Sequence, residues 1–253
     1  MSRKKLLMGN WKMNNTVEET LQFASKVNES SLVKDAESKG VILAIAPTYL
    51  SLQALKQNIK GVYVSAQDCH YAKSGAYTSS VSVDMLKEIG VNWSIIGHSE
   101  KRQYEAESDF SCNRKIRALL KASCKAVYCV GESLKEYEEG ITKDIILSQV
   151  TVGLQNISCE DAKNIIIAYE PVWSIGTGKN ASSEIAQDIC CYIRSIVEKI
   201  FNKEVASEML ILYGGSVKPE NIHNYLTCPD VDGALVVGAS LKVESFKALV
   251  ENI

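Results

Sequence analysis

The chain of 253 residues lacks the features that mark several protein classes. No stretch approaches the ~18 consecutive apolar residues of a membrane-spanning helix. The longest positive run is Arg3-Lys4-Lys5 and the net charge is −2, so there is no basic stripe for nucleic acid. The apolar stretch after that run is broken by Gly9-Asn10, too early for a secretory signal. We therefore expect a cytoplasmic protein with neither a membrane nor nucleic acid as partner.

The chain also lacks paired cysteine motifs, although it has eight cysteines. No C-x-x-C pair occurs, Cys124 and Cys129 are five residues apart, and Cys69-His70 has no partner cluster nearby. Neither a disulfide framework nor a metal site is indicated by these spacings. We expect reduced thiols and no metal.

What the chain does have is eight short apolar runs. They begin at residues 5, 41, 62, 91, 125, 164, 209 and 233, and each is nearly continuous in apolar residues. Such runs are typical of strands that are buried on both faces, as in parallel sheets. Helical patterns lie between them, with only four prolines and no linker-like segment.

The first helical pattern illustrates the alternation. Thr16 and Glu19 form a capping box, and Leu21, Ala24 and Val27 are expected to line its buried face. Eight strands alternating with helices predict an α/β fold, a single (β/α)8 TIM barrel, as one domain over residues 1–253. An open doubly wound sheet is the alternative, because the pattern alone does not prove closure.

In such a barrel the active site lies at the carboxyl ends of the strands. Lys12 follows the first strand, His98 the fourth and Glu170 the sixth. Each alone fits a structural role, but together they bring a base, a hydrogen-bond donor and a cation to one mouth. This set suits proton transfer next to a carbonyl: Glu170 takes the proton, His98 hydrogen-bonds the oxygen, and Lys12 stabilises the enediolate.

Two glycine-containing segments follow the seventh and eighth strands. Gly214-Gly215-Ser216 and Val237-Gly238 offer backbone N–H groups close to helix starts. Glycines in loops are often only turn formers. Two such segments at these two strands, however, match the common phosphate site of this barrel.

Several segments together resemble the triosephosphate isomerase family. They occur in the family's order, span nearly the whole chain and comprise GNWKMN at 9–14, IGHSEKR at 96–102, VGE at 130–132, AYEPVWSIGTGK at 168–179, YGGSV at 213–217 and VDGALVVGASL at 231–241. The resemblance implies interconversion of dihydroxyacetone phosphate and glyceraldehyde 3-phosphate, a triose phosphate substrate, and neither metal nor cofactor.

The resemblance also assigns roles to individual residues. The family's base falls on Glu170, its electrophilic histidine on His98 and its lysine on Lys12. The residues that it implies for substrate and phosphate contact are Asn10, Gly176, Ser216, Val237 and Gly238. Its supporting residues fall on Ser99, Glu100 and Tyr213.

The segment after Glu170 resembles the family's lid, whose closure excludes water from the intermediate. A rigid start at Pro171-Val172-Trp173 and an end at Lys179-Asn180-Ala181 are expected to act as hinges. Tyr213 and Ser216 resemble the groups that hold the closed tip.

The third loop, residues 70–80, resembles the family's dimerisation loop and implies a homodimer, with Thr78 reaching toward the partner's active site. Four positions depart from the family pattern: Asp68, Ser79-Ser80, Lys101 and Val237. Ser80 and Lys101 stand where a glutamate and an arginine are thought to pair across the interface, so we expect that pair to be absent and Lys101 to reach water. At Val237, which replaces a glycine, we expect a negative φ.

Two other functions remain open on the sequence alone. A metal-dependent epimerase of sugar phosphates requires a cluster of His and Asp ligands at the strand ends, where only His98 stands. A binding or adhesion role without catalysis is disfavoured by the intact Lys12, His98 and Glu170.

Overall fold

Eight parallel strands close into a barrel in the computed structural model, which describes residues 3–175 and 181–253. Each strand pairs with the next along the chain, and the eighth pairs with the first. The strands are β1 Lys5–Asn10, β2 Val41–Ala46, β3 Tyr63–Ala66, β4 Trp93–Ile96, β5 Lys125–Val130, β6 Ile165–Tyr169, β7 Ile211–Tyr213 and β8 Gly233–Val236. The prediction of a closed (β/α)8 barrel is confirmed, and the open sheet is ruled out.

Helices follow the strands and cover the outside of the barrel. In the described residues they are α1 Val17–Glu29, α2 Leu32–Ser38, α3 Tyr49–Asn58, α4 Val83–Glu88, α5 Ser99–Glu105, α6 Asp109–Lys121, α7 Leu134–Glu138, α8 Thr142–Gly153, α9 Cys159–Ala162, α10 Ser183–Ile200, α11 Lys203–Glu208, α12 Ile222–Leu226 and α13 Val243–Glu251. None of these helices has the length and apolar character needed to cross a membrane.

The continuous apolar runs are explained by two separate packing layers. In β1, Leu6 and Met8 belong to the cluster inside the barrel. Leu7, between them, belongs to the cluster between the sheet and the helices. Because successive side chains of a strand point to opposite faces, a strand buried on both sides is apolar at every position.

Helix α1 confirms one prediction and corrects another. The reciprocal capping box between Thr16 and Glu19 is present. Leu21, however, is 40% exposed, so its placement on the buried face is wrong. The buried positions are Thr20, Phe23, Ala24 and Val27. These lie at i, i+3, i+4 and i+7, whereas Leu21 is rotated about 100° from Thr20 around the helix.

The backbone after β5 lies very close to the backbone after β6, and this contact positions Glu170. A Cβ atom on Gly131 would lie 1.7 Å from the carbonyl oxygen of Glu170, so a side chain at position 131 would displace the backbone of Glu170. The N–H of Glu170 donates to the carbonyl of Val130 at 2.7 Å. The absence of a side chain at Gly131 therefore positions Glu170 at the mouth of the barrel.

Candidate active site

Three predicted site residues are buried at the carboxyl ends of their strands. Asn10 ends β1, His98 follows β4 and Glu170 follows β6, and each is 5% exposed or less. The closed barrel brings the ends of these three strands together, as expected. Buried polar groups require partners, and the contacts between these residues show how the requirement is met.

His98 and Glu170 are in direct contact. Nε2 of His98 lies 3.0 Å from Oε1 of Glu170. The backbone N–H of Glu100 donates to Nδ1 of His98 at 3.2 Å. An amide can donate only to an unprotonated nitrogen, so the ring is neutral in this arrangement and its Nε2–H donates to Glu170.

Glu170 is surrounded by groups that favour its ionised form. Burial alone raises the pKa of a carboxyl group, but the hydrogen bond from His98 opposes this effect. The amide of Ser99 donates to Oε2 at 3.1 Å, and the Lys12 ammonium adds a further attraction. The net result is a pKa of Glu170 below its ordinary value. The carboxylate is therefore ready to accept a proton at neutral pH.

Lys12 is held at the mouth in a constrained backbone conformation. Its φ of 51° lies in the left-handed region, which is uncommon for a residue with a side chain. Nζ of Lys12 lies 2.7 Å from Oε1 of Glu100, and the other carboxylate oxygen of Glu100 lies 3.8 Å from Nδ1 of His98. Glu100 thus contacts Lys12 through its carboxylate and His98 through its backbone N–H, and Lys12 contributes to lowering the pKa of Glu170.

Two side chains hold the backbone of Lys12. Asn10 accepts the N–H of Lys12 at 3.0 Å through Oδ1. Gln67, directly after β3, donates to the carbonyl of Lys12 at 2.7 Å and to that of Ala46 at 3.0 Å. Gln67 was missed by the sequence reasoning, although its place after a strand end was a signal that could have identified it.

The predicted phosphate segments lie at the ends of β7 and β8. Ser216 is partly buried, and its carbonyl accepts the side-chain amide of Asn221 at 3.2 Å. Val237 has a φ of −110° and immediately precedes a 3-10 turn over Gly238–Ser240. The expected negative φ is confirmed, so valine causes no left-handed strain there. Gly176, the remaining predicted phosphate contact, lies outside the described residues.

The start of the predicted lid is anchored by Glu132, a buried residue after β5. Its carbonyl accepts the N–H of Val172 at 3.1 Å, and its Oε1 accepts the indole N–H of Trp173 at 2.8 Å. Trp173 also stacks on Tyr137 with a centroid distance of 4.3 Å. These contacts agree with a rigid first hinge. The sequence places Glu132 at the end of the fifth strand but does not predict its contacts with Val172 and Trp173.

The far end of the predicted lid is described only from Ala181 onward. Ala181 is buried, and its carbonyl accepts the hydroxyl of Tyr225 at 2.7 Å. Tyr225 stacks on the fully buried Tyr213 at 4.3 Å. Lys179-Asn180, the rest of the second hinge, and the tip that Tyr213 is expected to hold lie outside the described residues.

The third loop projects from the surface, and residues 73–80 are all exposed. At its base His70 packs against Tyr71 and Tyr77, with ring centroids 4.2 and 4.1 Å apart. Thr78 lies in the exposed part of this loop. The arrangement leaves the loop tip available for contact with another surface.

Lys101 does not extend to water as expected. It pairs with Glu105 one helical turn away, and its Nζ lies 3.3 Å from Oδ2 of Asp68. Asp68 also accepts from Lys115 at 2.7 Å, and Lys115 pairs with Glu107. The expectation is wrong because Asp68, at a position where asparagine is usual, supplies a carboxylate from the same chain.

Within residues 3–175 and 181–253 there is no group of three or more His, Cys, Asp and Glu side chains that could hold a metal ion. The ligand set that a metal-dependent epimerase would require is therefore not found in the described part of the chain. All eight cysteines are free thiols.

Comparisons with known proteins agree with the geometry of the site. The chain matches the family model described as Triosephosphate isomerase over residues 5–253. It is 46% identical over 252 residues to the triosephosphate isomerase of Carboxydothermus hydrogenoformans, with 99% of each chain covered. It is 46% identical over 251 residues to that of Chlorobium phaeovibrioides, with 98% covered, and 44% identical over 259 residues to that of Streptococcus gordonii, with 100% covered. The chain therefore belongs to the triosephosphate isomerase family.

Proposed function

We propose that Glu170, His98 and Lys12 carry out the reaction of this family, the interconversion of dihydroxyacetone phosphate and D-glyceraldehyde 3-phosphate. The observation that carries the proposal is the buried contact of 3.0 Å between Oε1 of Glu170 and Nε2 of His98, whose Nδ1 accepts the backbone N–H of Glu100. The pairing of a glutamate base with a neutral histidine is the known chemistry of the family. The reaction belongs to glycolysis and gluconeogenesis.

Glu170 acts as the base. It removes a proton from the carbon next to the carbonyl, which produces an enediolate, and it returns the proton to the neighbouring carbon. The hydroxyl proton passes from one substrate oxygen to the other through Nε2 of His98, so that the new carbonyl and the new hydroxyl form together. The substrate must separate Glu170 from His98, because the two side chains contact each other directly at 3.0 Å. An ionised carboxylate with a lowered pKa is in the correct protonation state for the first step.

His98 and Lys12 stabilise the negative charge that develops. The Nε2–H of His98, released from Glu170, donates to the substrate oxygen, and the Lys12 ammonium lies close enough to act on the same charge. Such preorganised donors supply a large part of enzymatic rate enhancement. Asn10, Ser99 and Glu100 support these groups through their contacts with Lys12, Glu170 and His98.

Substrate phosphate is bound by backbone N–H groups at Val237 and Gly238 and by Ser216, with Gly176 from the lid. The start of the 3-10 turn at Gly238 supports this assignment, because the first N–H groups of a helical turn have no partner within the turn. Tyr213 and Ser216 hold the closed lid.

Assembly and location are part of the proposal. The exposed third loop, residues 70–80, supports a homodimer in which the loop of one protomer packs beside the active site of its partner. A cytoplasmic location fits a triose phosphate substrate, and one domain over residues 1–253 remains a prediction.

A coupled assay of purified protein in both directions, with a chelator and no added metal, tests this function. We expect turnover of both triose phosphates by the wild type and loss of turnover in Glu170→Ala. Absence of turnover in a folded wild-type protein, or full activity in Glu170→Ala, would contradict it.

A further inference from the structure

The end of the barrel opposite the active site contains a cavity of about 720 Å³, called here the lower cavity. Its lining includes the first residues of three neighbouring strands, Tyr63 of β3, Trp93 of β4 and Lys125 of β5. The reaction does not use this end, because active sites of such barrels lie at the carboxyl ends of the strands. The volume is within the range of about 300–1,000 Å³ that is usual for small-molecule sites.

Aromatic and aliphatic side chains line much of the lower cavity. Tyr63 and Trp93 are stacked, with ring centroids 4.9 Å apart and planes inclined by 24°. Tyr63 is 53% exposed, so much of its surface is accessible to a ligand. Ile166 and Leu210 extend this lining to the interior of the barrel. A flat apolar molecule would find an extended apolar surface here.

Lys125 is a partly buried cation with neutral partners. Its Nζ lies 6.0 Å from the centroid of the Trp93 ring and 3.3 Å from Oδ1 of Asn164. No carboxylate pairs with it among the residues that the structure describes. Burial lowers the pKa of Lys125, so its charge has lost hydration without gaining a counter-charge.

Cations also predominate around the rest of the lower cavity. Arg3, Lys4 and Lys163 join Lys125, and Glu208 is the carboxylate among the lining residues. Arg3 already pairs with Asp232 at 2.6 Å. The lower cavity therefore attracts an anion and repels a metal ion.

We propose that the lower cavity binds a small aromatic anion, with its ring system against Tyr63 and Trp93 and its anionic group at Lys125. A sulfonate, phosphate or carboxylate at this position supplies the counter-charge that Lys125 lacks and makes a charge-assisted hydrogen bond. The ring adds apolar burial that a bare inorganic anion cannot provide.

Calorimetric titration of the full-length protein with 2-naphthalenesulfonate tests the proposal. We expect one site per chain with a dissociation constant of about 1 mM or tighter, as is usual for a ligand with so few atoms. Lys125→Gln is expected to weaken binding about tenfold, the effect of losing one charge-assisted hydrogen bond. The matched variant Lys87→Gln, which changes a lysine that donates to the carbonyl of Ala122, is expected to bind like the wild type.

Two further measurements locate the ligand. The uncharged 2-naphthalenesulfonamide is expected to bind more weakly than the sulfonate and to be insensitive to Lys125→Gln. Isomerase activity of Lys125→Gln is expected to be unchanged, because the lower cavity is at the opposite end of the barrel. Absence of binding, equal affinity for the charged and uncharged compounds, or a loss of binding in Lys12→Gln rather than Lys125→Gln would overturn the proposal.

Discussion

His98 and Glu170 contact each other directly at the mouth of the barrel, with 3.0 Å between Nε2 and Oε1. They come from loops 72 positions apart in the chain, after β4 and β6. The contact favours the ionised form of Glu170 and places the proton of a neutral His98 ring on Nε2. These are the protonation states that the proposed reaction requires.

Replacing His98 tests this coupling. In His98→Gln the imidazole N–H that donates to Glu170 is lost, so the pKa of Glu170 rises. We expect kcat to fall by about 10²–10³-fold, as on losing one oxyanion donor, and the acid limb of kcat/KM to move to higher pH. The matched control is His223→Gln in α12, which should behave as the wild type. An unchanged acid limb would contradict the coupling.

The buried carboxyl of Glu132 predicts a dependence of stability on pH. Burial raises the pKa of Glu132 above its ordinary value despite its hydrogen bonds to Trp173 and Tyr169. The native state therefore binds more protons than the unfolded state between the two pKa values, and stability decreases as pH rises through the native pKa. Glu132→Gln keeps an acceptor for both donors and removes the buried charge.

Urea unfolding from pH 4.5 upward, at fixed protein concentration, measures this effect. We expect Glu132→Gln to gain stability relative to the wild type as pH rises, whereas the exposed control Glu139→Gln gains none. If the stability difference between Glu132→Gln and the wild type does not depend on pH, the pKa of Glu132 is not raised.

Replacing Val237 by glycine is expected to change KM only slightly. Its φ of −110° is accessible to any residue, so glycine would relieve no strain of the ~1–3 kcal/mol kind found at left-handed positions. Steady-state kinetics of Val237→Gly should therefore show KM within about threefold of the wild type and an unchanged kcat. A large decrease in KM would mean that the valine obstructs phosphate binding.

The ion pairs of Lys101 predict that this residue does not hold the proposed homodimer together. Because Lys101 is paired within its own chain, Lys101→Ala should leave a micromolar homodimer intact in sedimentation velocity. Thr78→Arg, which places a bulky charge in the exposed third loop, should dissociate it and lower activity. An active wild-type monomer, or dissociation caused by Lys101→Ala, would contradict this account.

The sequence was most informative where one physical cause dominates. Burial on both faces makes a strand apolar throughout, so all eight strands could be predicted from β1 to β8. Asn10, His98 and Glu170 could be identified because they are polar residues at the ends of apolar runs. Burying a polar group without a partner costs free energy, so a polar residue in such a place indicates a function.

Contacts between distant segments could not be predicted in the same way. The pair between Lys101 and Asp68 depends on how α5 packs beside the loop after β3. Gln67 and Glu132 stand after strand ends, but the sequence does not show their partners, which are the backbone of Lys12 for Gln67 and the side chains of Trp173 and Tyr169 for Glu132. Leu21 was assigned to the buried face of α1 because helical spacing gives the period of the buried face but not the residue at which that face starts, which is Thr20.

The central claim is that Glu170 is the catalytic base, and the kcat of Glu170→Asp tests it most directly. The substitution keeps the charge and withdraws the carboxylate by about one methylene, a displacement of ~1 Å that can cost ~10²-fold. With chelator present and folding checked by circular dichroism, we predict a loss of kcat of at least that size, and no loss in the exposed control Glu18→Asp. A kcat of Glu170→Asp close to that of the wild type would contradict the assignment of Glu170 as the base.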